Sequence, residues 1–96
     1  MQYLVKVLDY ENTLEKRLSI RDEHLKRVKK MLEVGQIINA GAIIKDDKMI
    51  GSTLYMEFNS QDEIDDWLSN EVYITKKVWN MDTFEMLDIK LLAKNL

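Results

Sequence analysis

The sequence predicts one α+β domain of βαββαβ order, with two helices on one face of a four-stranded antiparallel sheet. Three observations carry that reading. A run of β-formers, Tyr3-Leu4-Val5-Lys6-Val7-Leu8, precedes a long stretch of helical periodicity that stops at Gly35. Two further β-rich runs then face each other across a short polar turn. Ser60-Gln61-Asp62-Glu63 has the form of a capping box and opens a second helix ahead of a last apolar run.

The elements follow in order. Asp9 to Ser19 reads as a loop with a helical turn, holding Leu14 and Leu18 among charges. Ser19 is the expected N-cap, and Asp22 favours the first turn. From Ile20 to Val34, at about 100° per residue, Ile20, Leu25, Val28, Met31 and Leu32 share one arc roughly 140° wide. Charged residues fill the opposite arc, and Gly35 suits the C′ position. Gln36 to Lys45 is the second strand, Asp46-Asp47-Lys48 the turn, and Met49 to Phe58 the third strand. Ile64, Trp67 and Leu68 face inward from the second helix. Asn70 to Lys77 reads as a connector, and Val78 to Ile89 as the last strand. Alternation slips between Met81 and Phe84, which predicts a bulge or an irregular edge there. One domain spans residues 1–89, and residues 90–96 form a C-terminal tail expected to pack on a partner subunit.

Two helices cover only one face of such a sheet. The other face would carry Ile37 or Ile38, Ile43 or Ile44, Tyr55 and Trp79, according to register. That is apolar enough to predict a homodimer formed face to face through the sheet.

Composition narrows the function. A chain of 96 residues buries only about 60–70% of its unfolded surface, so a site at a subunit interface is expected. With no cysteine, thiolate catalysis and Cys-ligated metal sites are excluded. A single histidine and scattered carboxylates make no metal motif, so neither metal nor cofactor is expected. A net charge of −3 argues against a nucleic-acid partner. No apolar run approaches the ~20 residues that span a bilayer, and no signal peptide is evident, so a cytoplasmic protein with no membrane partner is expected.

The first helix breaks its own pattern. Arg21 and His24 fall inside the apolar arc, three residues apart and therefore neighbours. Burying a guanidinium and an imidazole is costly unless each has a partner. One reading makes them a structural ion-pair member and a hydrogen-bonded core residue. The other makes His24 an acid/base, for which imidazole is suited, and Arg21 a ligand for an anionic substrate group.

The segment Thr13-Leu14-Glu15-Lys16-Arg17-Leu18-Ser19-Ile20-Arg21-Asp22-Glu23-His24-Leu25 resembles the YCII-related family, with its Leu-Glu-Lys-Arg-Leu followed by Arg-x-x-His-Leu. The resemblance continues at Ala40-Gly41, Gly51-Ser52, Tyr73 and Val78, and covers about residues 1 to 89. It implies a ferredoxin-like fold, a dimer akin to the dimeric α/β barrels, and a catalytic histidine–aspartate pair. The histidine corresponds to His24. The aspartate position holds Glu71, which keeps the charge on an arm one methylene longer. Ala42 and Val72 stand where the family has proline, in a chain with no proline anywhere.

Arg17 points at the site if the segment before Ser19 is helical, and is a solvated charge otherwise. Ser52 and Tyr73 are further substrate-binding candidates, against bland roles in backbone satisfaction and aromatic packing. The third strand lacks the aromatic stacking pair of an RNA-recognition domain of the same order. The leading expectation is an enzyme on a small-molecule substrate, of isomerase, lyase or hydrolase-like chemistry, with His24 as acid/base and Glu71 orienting it. A non-catalytic ligand-binding or regulatory module using the same cleft is the alternative. An interaction protein whose apolar sheet face serves only assembly is the third.

Overall fold

A computed structural model describes residues 1–95. Its strands are β1 (Gln2–Leu8), β2 (Ile37–Lys45), β3 (Lys48–Glu57) and β4 (Glu85–Asp88); its helices are α1 (Leu14–Glu33), α2 (Gln61–Asn70) and the single turn α3 (Val72–Thr75). The sheet is wholly antiparallel in the order β2-β3-β1-β4, the ferredoxin-like split βαβ arrangement.

Register decides which side chains meet. Val5 of β1 lies opposite Leu54 of β3 on one side and Met86 of β4 on the other. With Val7, Met56 and Phe58 these side chains meet Val28 and Met31 of α1 and Ile64 and Trp67 of α2 in one core. Lys45 and Lys48 close the β2–β3 hairpin across Asp46 and Asp47, both at positive φ, the two-residue turn whose twist matches that of the strands. Gly35, at φ 81, follows α1 in the left-handed conformation expected after a helix end.

Three expectations give way. The first helix begins at Leu14, a turn and a half earlier than Ser19 suggests. Ser19 lies inside it and its hydroxyl donates to the Lys16 carbonyl at 2.7 Å, satisfied within the helix instead of capping it. The last strand is only Glu85–Asp88. Trp79 makes an isolated bridge to Asp9, and Met81–Thr83 is a 3-10 turn where a bulge or an irregular edge was expected. Asn80 caps that turn by accepting from the Asp82 amide, and Thr83 Oγ1 accepts from the Leu8 amide, so a side chain replaces the strand ladder there. Finally, Trp79 belongs to the core and not to the open face, packing edge-on against Trp67 at 6.3 Å; of Ile37 and Ile38, Ile37 is the one in the core. The register shifts sit in the β2–β3 pairing, between Ile37 and Asn39 and between Ile43 and Ile44.

The open face keeps an apolar row. Leu87, Leu4 and Tyr55 are aligned across β4, β1 and β3, with Leu87 and Tyr55 exposed. After β4 the chain turns back onto the end of its own sheet, where β1 begins: the Leu91 amide and the Asn95 side chain both donate to Gln2 Oε1. Lys94 pairs with Glu57 at 3.4 Å. Leu96 lies outside the described residues.

Candidate functional site

The early start of α1 determines the site. Twenty residues of helix carry Arg17, His24, Val28 and Met31 down its inner side. Opposite them β2 contributes Ala40, Gly41 and Ala42, whose small side chains do not fill the space between helix and sheet edge. A cleft of about 200 Å³ results, with Arg17, His24, Ser52 and Tyr73 in its wall and Arg21 and Leu25 along its helical rim. A larger hollow, about 420 Å³, lies between the Leu8–Leu14 segment and the β2–β3 turn. It contains neither His24 nor Glu71 and shares only Met49 with the cleft.

Glu71 reaches His24 because two helices break at it. It is the C-cap of α2 and the N-cap of α3, in extended conformation, with its amide donating to the Trp67 carbonyl. Its Oε1 accepts from the Tyr73 amide at 3.1 Å and lies 2.7 Å from His24 Nδ1. A carboxylate only accepts, so Nδ1 holds the hydrogen of this bond in the neutral imidazole. Glu71 is 1% exposed and His24 8%. The Tyr73 ring stacks on the imidazole, centroids 3.8 Å apart and planes 12° apart, and Trp79 meets the imidazole edge-on. The ring plane is thus held from two directions and one nitrogen is engaged. Nε2 has no protein partner among the described residues.

Arg17 is buried, but it is not free to hold a substrate anion as the sequence suggested. Nε donates to Asp9 Oδ2 at 2.8 Å, and Nη2 to the Gly51 carbonyl at 2.8 Å and to Ser52 Oγ. Its guanidinium carbon lies 4.8 Å from the Tyr73 ring centroid, a cation–π contact. Asp9 is the partner that sequence reasoning missed, and Trp79, whose indole donates to Ser52 Oγ at 3.0 Å, is the second. The signal for Asp9 was its place directly after an apolar strand, where a buried arginine would need a carboxylate.

Arg21 departs from expectation in the opposite sense. It is exposed, not pressed on the sheet, because α1 turns Val28 and Met31 inward and leaves Arg21 and Leu25 over the unfilled cleft. Arg21 is without an ion-pair or hydrogen-bond partner among the described residues. Tyr73 completes the wall. Burial pushes its phenol above the usual tyrosine range, with the Arg17 and Arg21 charges opposing. The phenol therefore stays neutral and donates to the Arg17 carbonyl at 3.4 Å. No three His, Asp or Glu side chains converge to hold a metal ion among the described residues. No helix among them is long and apolar enough to cross a membrane.

With this geometry in place, comparisons with known proteins are informative. A family model for the YCII-related domain matches residues 1–88. An uncharacterised protein of Haemophilus influenzae is 31% identical over 86 residues, covering 82% of this chain and 88% of its own. Protein YciI of Escherichia coli matches to the same extent. Among solved structures, the 5-chloro-2-hydroxyhydroquinone dehydrochlorinase TftG of Burkholderia phenoliruptrix, in complex with 2,5-dihydroxybenzoquinone, is similar with a TM-score of 0.81. At 22% identity over 99% of both chains, that likeness speaks for the fold.

Proposed function

This chain belongs to the YCII-related family, and from that premise we propose that it is an enzyme acting on a small oxygenated carbonyl substrate by proton transfer at His24. One observation carries the reading: a buried carboxylate 2.7 Å from Nδ1 of the chain's one histidine, which lines a cleft and whose Nε2 has no partner among the described residues. Glu71 fixes the tautomer and holds the ring, and Nε2 is then the basic nitrogen offered to a ligand. It takes a proton from an acidic O–H or C–H of the substrate and returns one later in the cycle. Glu71 also stabilises the imidazolium formed in between, as a carboxylate beside an imidazole does.

The cleft sets the scale of the substrate. About 200 Å³ is below the ~300–1,000 Å³ of drug-sized pockets, which suits a single ring or a short acid. Arg21, exposed at the rim and without an ion-pair partner among the described residues, attracts an anionic or enolate oxygen toward His24. The structural neighbour's hydroxylated quinone ligand is of this chemical kind, which supports the choice of substrate class. The working form in this reading is a homodimer through the row of Leu4, Tyr55 and Leu87.

The test is turnover. Chlorinated hydroxyhydroquinones, 2,5-dihydroxybenzoquinone and small enolisable keto acids are incubated with the protein in deuterated buffer. Chloride release and hydrogen–deuterium exchange are then followed. Wild type turns over at least one of them. His24→Gln lowers that rate about 10²–10⁴-fold, the span that general acid–base groups contribute. Saturable binding with no turnover, and with His24→Gln binding equally well, would instead establish a ligand-binding module.

A further inference from the structure

Ser52 is 5% exposed and sits in the wall of the cleft that holds His24. A serine oxygen has two lone pairs and one hydrogen. Both lone pairs are taken. Arg17 Nη2 donates to Oγ at 2.5 Å and Trp79 Nε1 donates at 3.0 Å. Neither donor is able to reverse roles: a guanidinium and an indole N–H have no acceptor to offer. The hydroxyl hydrogen must therefore take the remaining tetrahedral direction, and no protein acceptor meets it there among the described residues.

From this saturation we infer that Ser52 is an obligate hydrogen-bond donor to the ligand, so that the ligand atom beside it is an acceptor, for which a carbonyl or enolate oxygen is the best fit. The inference rests on the proposed acid/base reading of the cleft and narrows it. A serine that is free to rotate accepts or donates according to its ligand. This one is confined to donating, and the adjacent guanidinium charge strengthens the bond it gives. Nε2 of His24 in the same wall is an acceptor in the tautomer that Glu71 fixes. One donor and one acceptor lining a small cleft match a substrate that carries an acidic O–H or C–H near a carbonyl. They mismatch one that presents an ammonium group, an N–H donor or a methyl group beside Ser52, because the hydroxyl hydrogen is then left buried without an acceptor. Ser52 is thus a specificity-determining residue. Arg17 and Trp79 are positioning residues that act through it.

The experiment measures affinities by titration calorimetry for two probes of one shape. The first is 2,5-dihydroxybenzoquinone. The second is 2,5-dimethylhydroquinone, which keeps both hydroxyls and replaces both carbonyl oxygens with methyl groups. Ser52→Ala is expected to weaken the first by about tenfold or more, the scale of one charge-assisted hydrogen bond, and to leave the second within about twofold. Equal weakening of both probes, or of neither, overturns the inference, since a purely structural serine gives one of those results. If Ser52→Ala fails to fold, Trp79→Phe replaces it. That variant keeps the hydroxyl but frees one lone pair, and it is expected to narrow the discrimination between the probes severalfold; unchanged discrimination overturns the inference. Failure of both probes to bind wild type has a different meaning: it overturns the proposed substrate class, and the donor assignment with it.

Discussion

Replacing Arg17 by methionine is expected to cost this domain a large part of its stability, although Arg17 lies in the wall of the proposed active site. Its side chain is 4% exposed and that of Asp9 5%, so the pair is buried on both sides. Methionine fills much of the arginine's volume but leaves the Asp9 carboxylate without its cation. Breaking one side of a buried pair costs about 3–5 kcal/mol, and loss of the donors to Gly51 and Ser52 keeps the figure toward the upper end. A domain of this length has about 5–14 kcal/mol in all, at roughly 0.05–0.15 kcal/mol per residue. A third or more of the stability is therefore at stake, and the melting temperature falls by about 15–30 °C. Urea unfolding followed by tryptophan fluorescence measures the loss, since Trp67 and Trp79 are both in the core. Asp9→Leu added to Arg17→Met removes the stranded charge and is expected to recover at least half of it. That non-additivity separates an ion pair from mere packing. A loss below about 1 kcal/mol in the single variant, or a double variant less stable than the single, would refute the argument.

Three further outcomes follow from particular contacts. A Cβ on Gly51 would lie 2.4 Å from the Val7 carbonyl oxygen, whereas one on Gly41 would first meet a Thr53 methyl at 4.0 Å; Gly51→Ala is expected to lose about 3 kcal/mol or more and Gly41→Ala under about 1, by chemical denaturation. Because burial raises the folded pKa of Tyr73 above its unfolded value, its contribution is complete below about pH 10 and is lost as the pH rises through the folded value; stability measured from pH 9 to 12 should fall less steeply in Tyr73→Phe, and an identical alkaline slope would contradict this. Tyr55→Lys, placed in the middle of the open-face row, is expected to shift a wild-type dimer to monomer in analytical ultracentrifugation, and a wild type that sediments as a monomer would rule out the sheet-mediated dimer.

The candidate site was partly legible in the chain because part of its logic is local. His24 stands out within a helix whose neighbours repeat every three to four residues, and Glu71-Val72-Tyr73 is short enough to be read as a motif. What it failed to reveal was long-range. Arg17 looked like a second substrate ligand until Asp9, Gly51 and Ser52 surrounded it, and those contacts depend on the register of β1 against β3. Arg21 looked buried because an ideal helical wheel assumes that something fills the space beside the helix. The Ala40-Gly41-Ala42 segment leaves that space open. The start of α1 was misplaced for a similar reason: Ser19 has the chemistry of a cap, but a hydroxyl inside a helix satisfies itself on the preceding turn.

The sequence by itself determined the element order, the antiparallel hairpin and the lone imidazole on the inner side of the first helix. Each rests on periodicity or turn chemistry within a few residues of itself. Only the tertiary structure decided which polar groups share a proton or a charge. It gave the His24–Glu71 pair, expected from the family resemblance, its 2.7 Å contact across 47 positions, and it set Arg17 against Ser52 across 35. Such pairings are fixed by how helices seat on a sheet, and a buried polar atom accepts whichever partner that packing brings within about 3 Å.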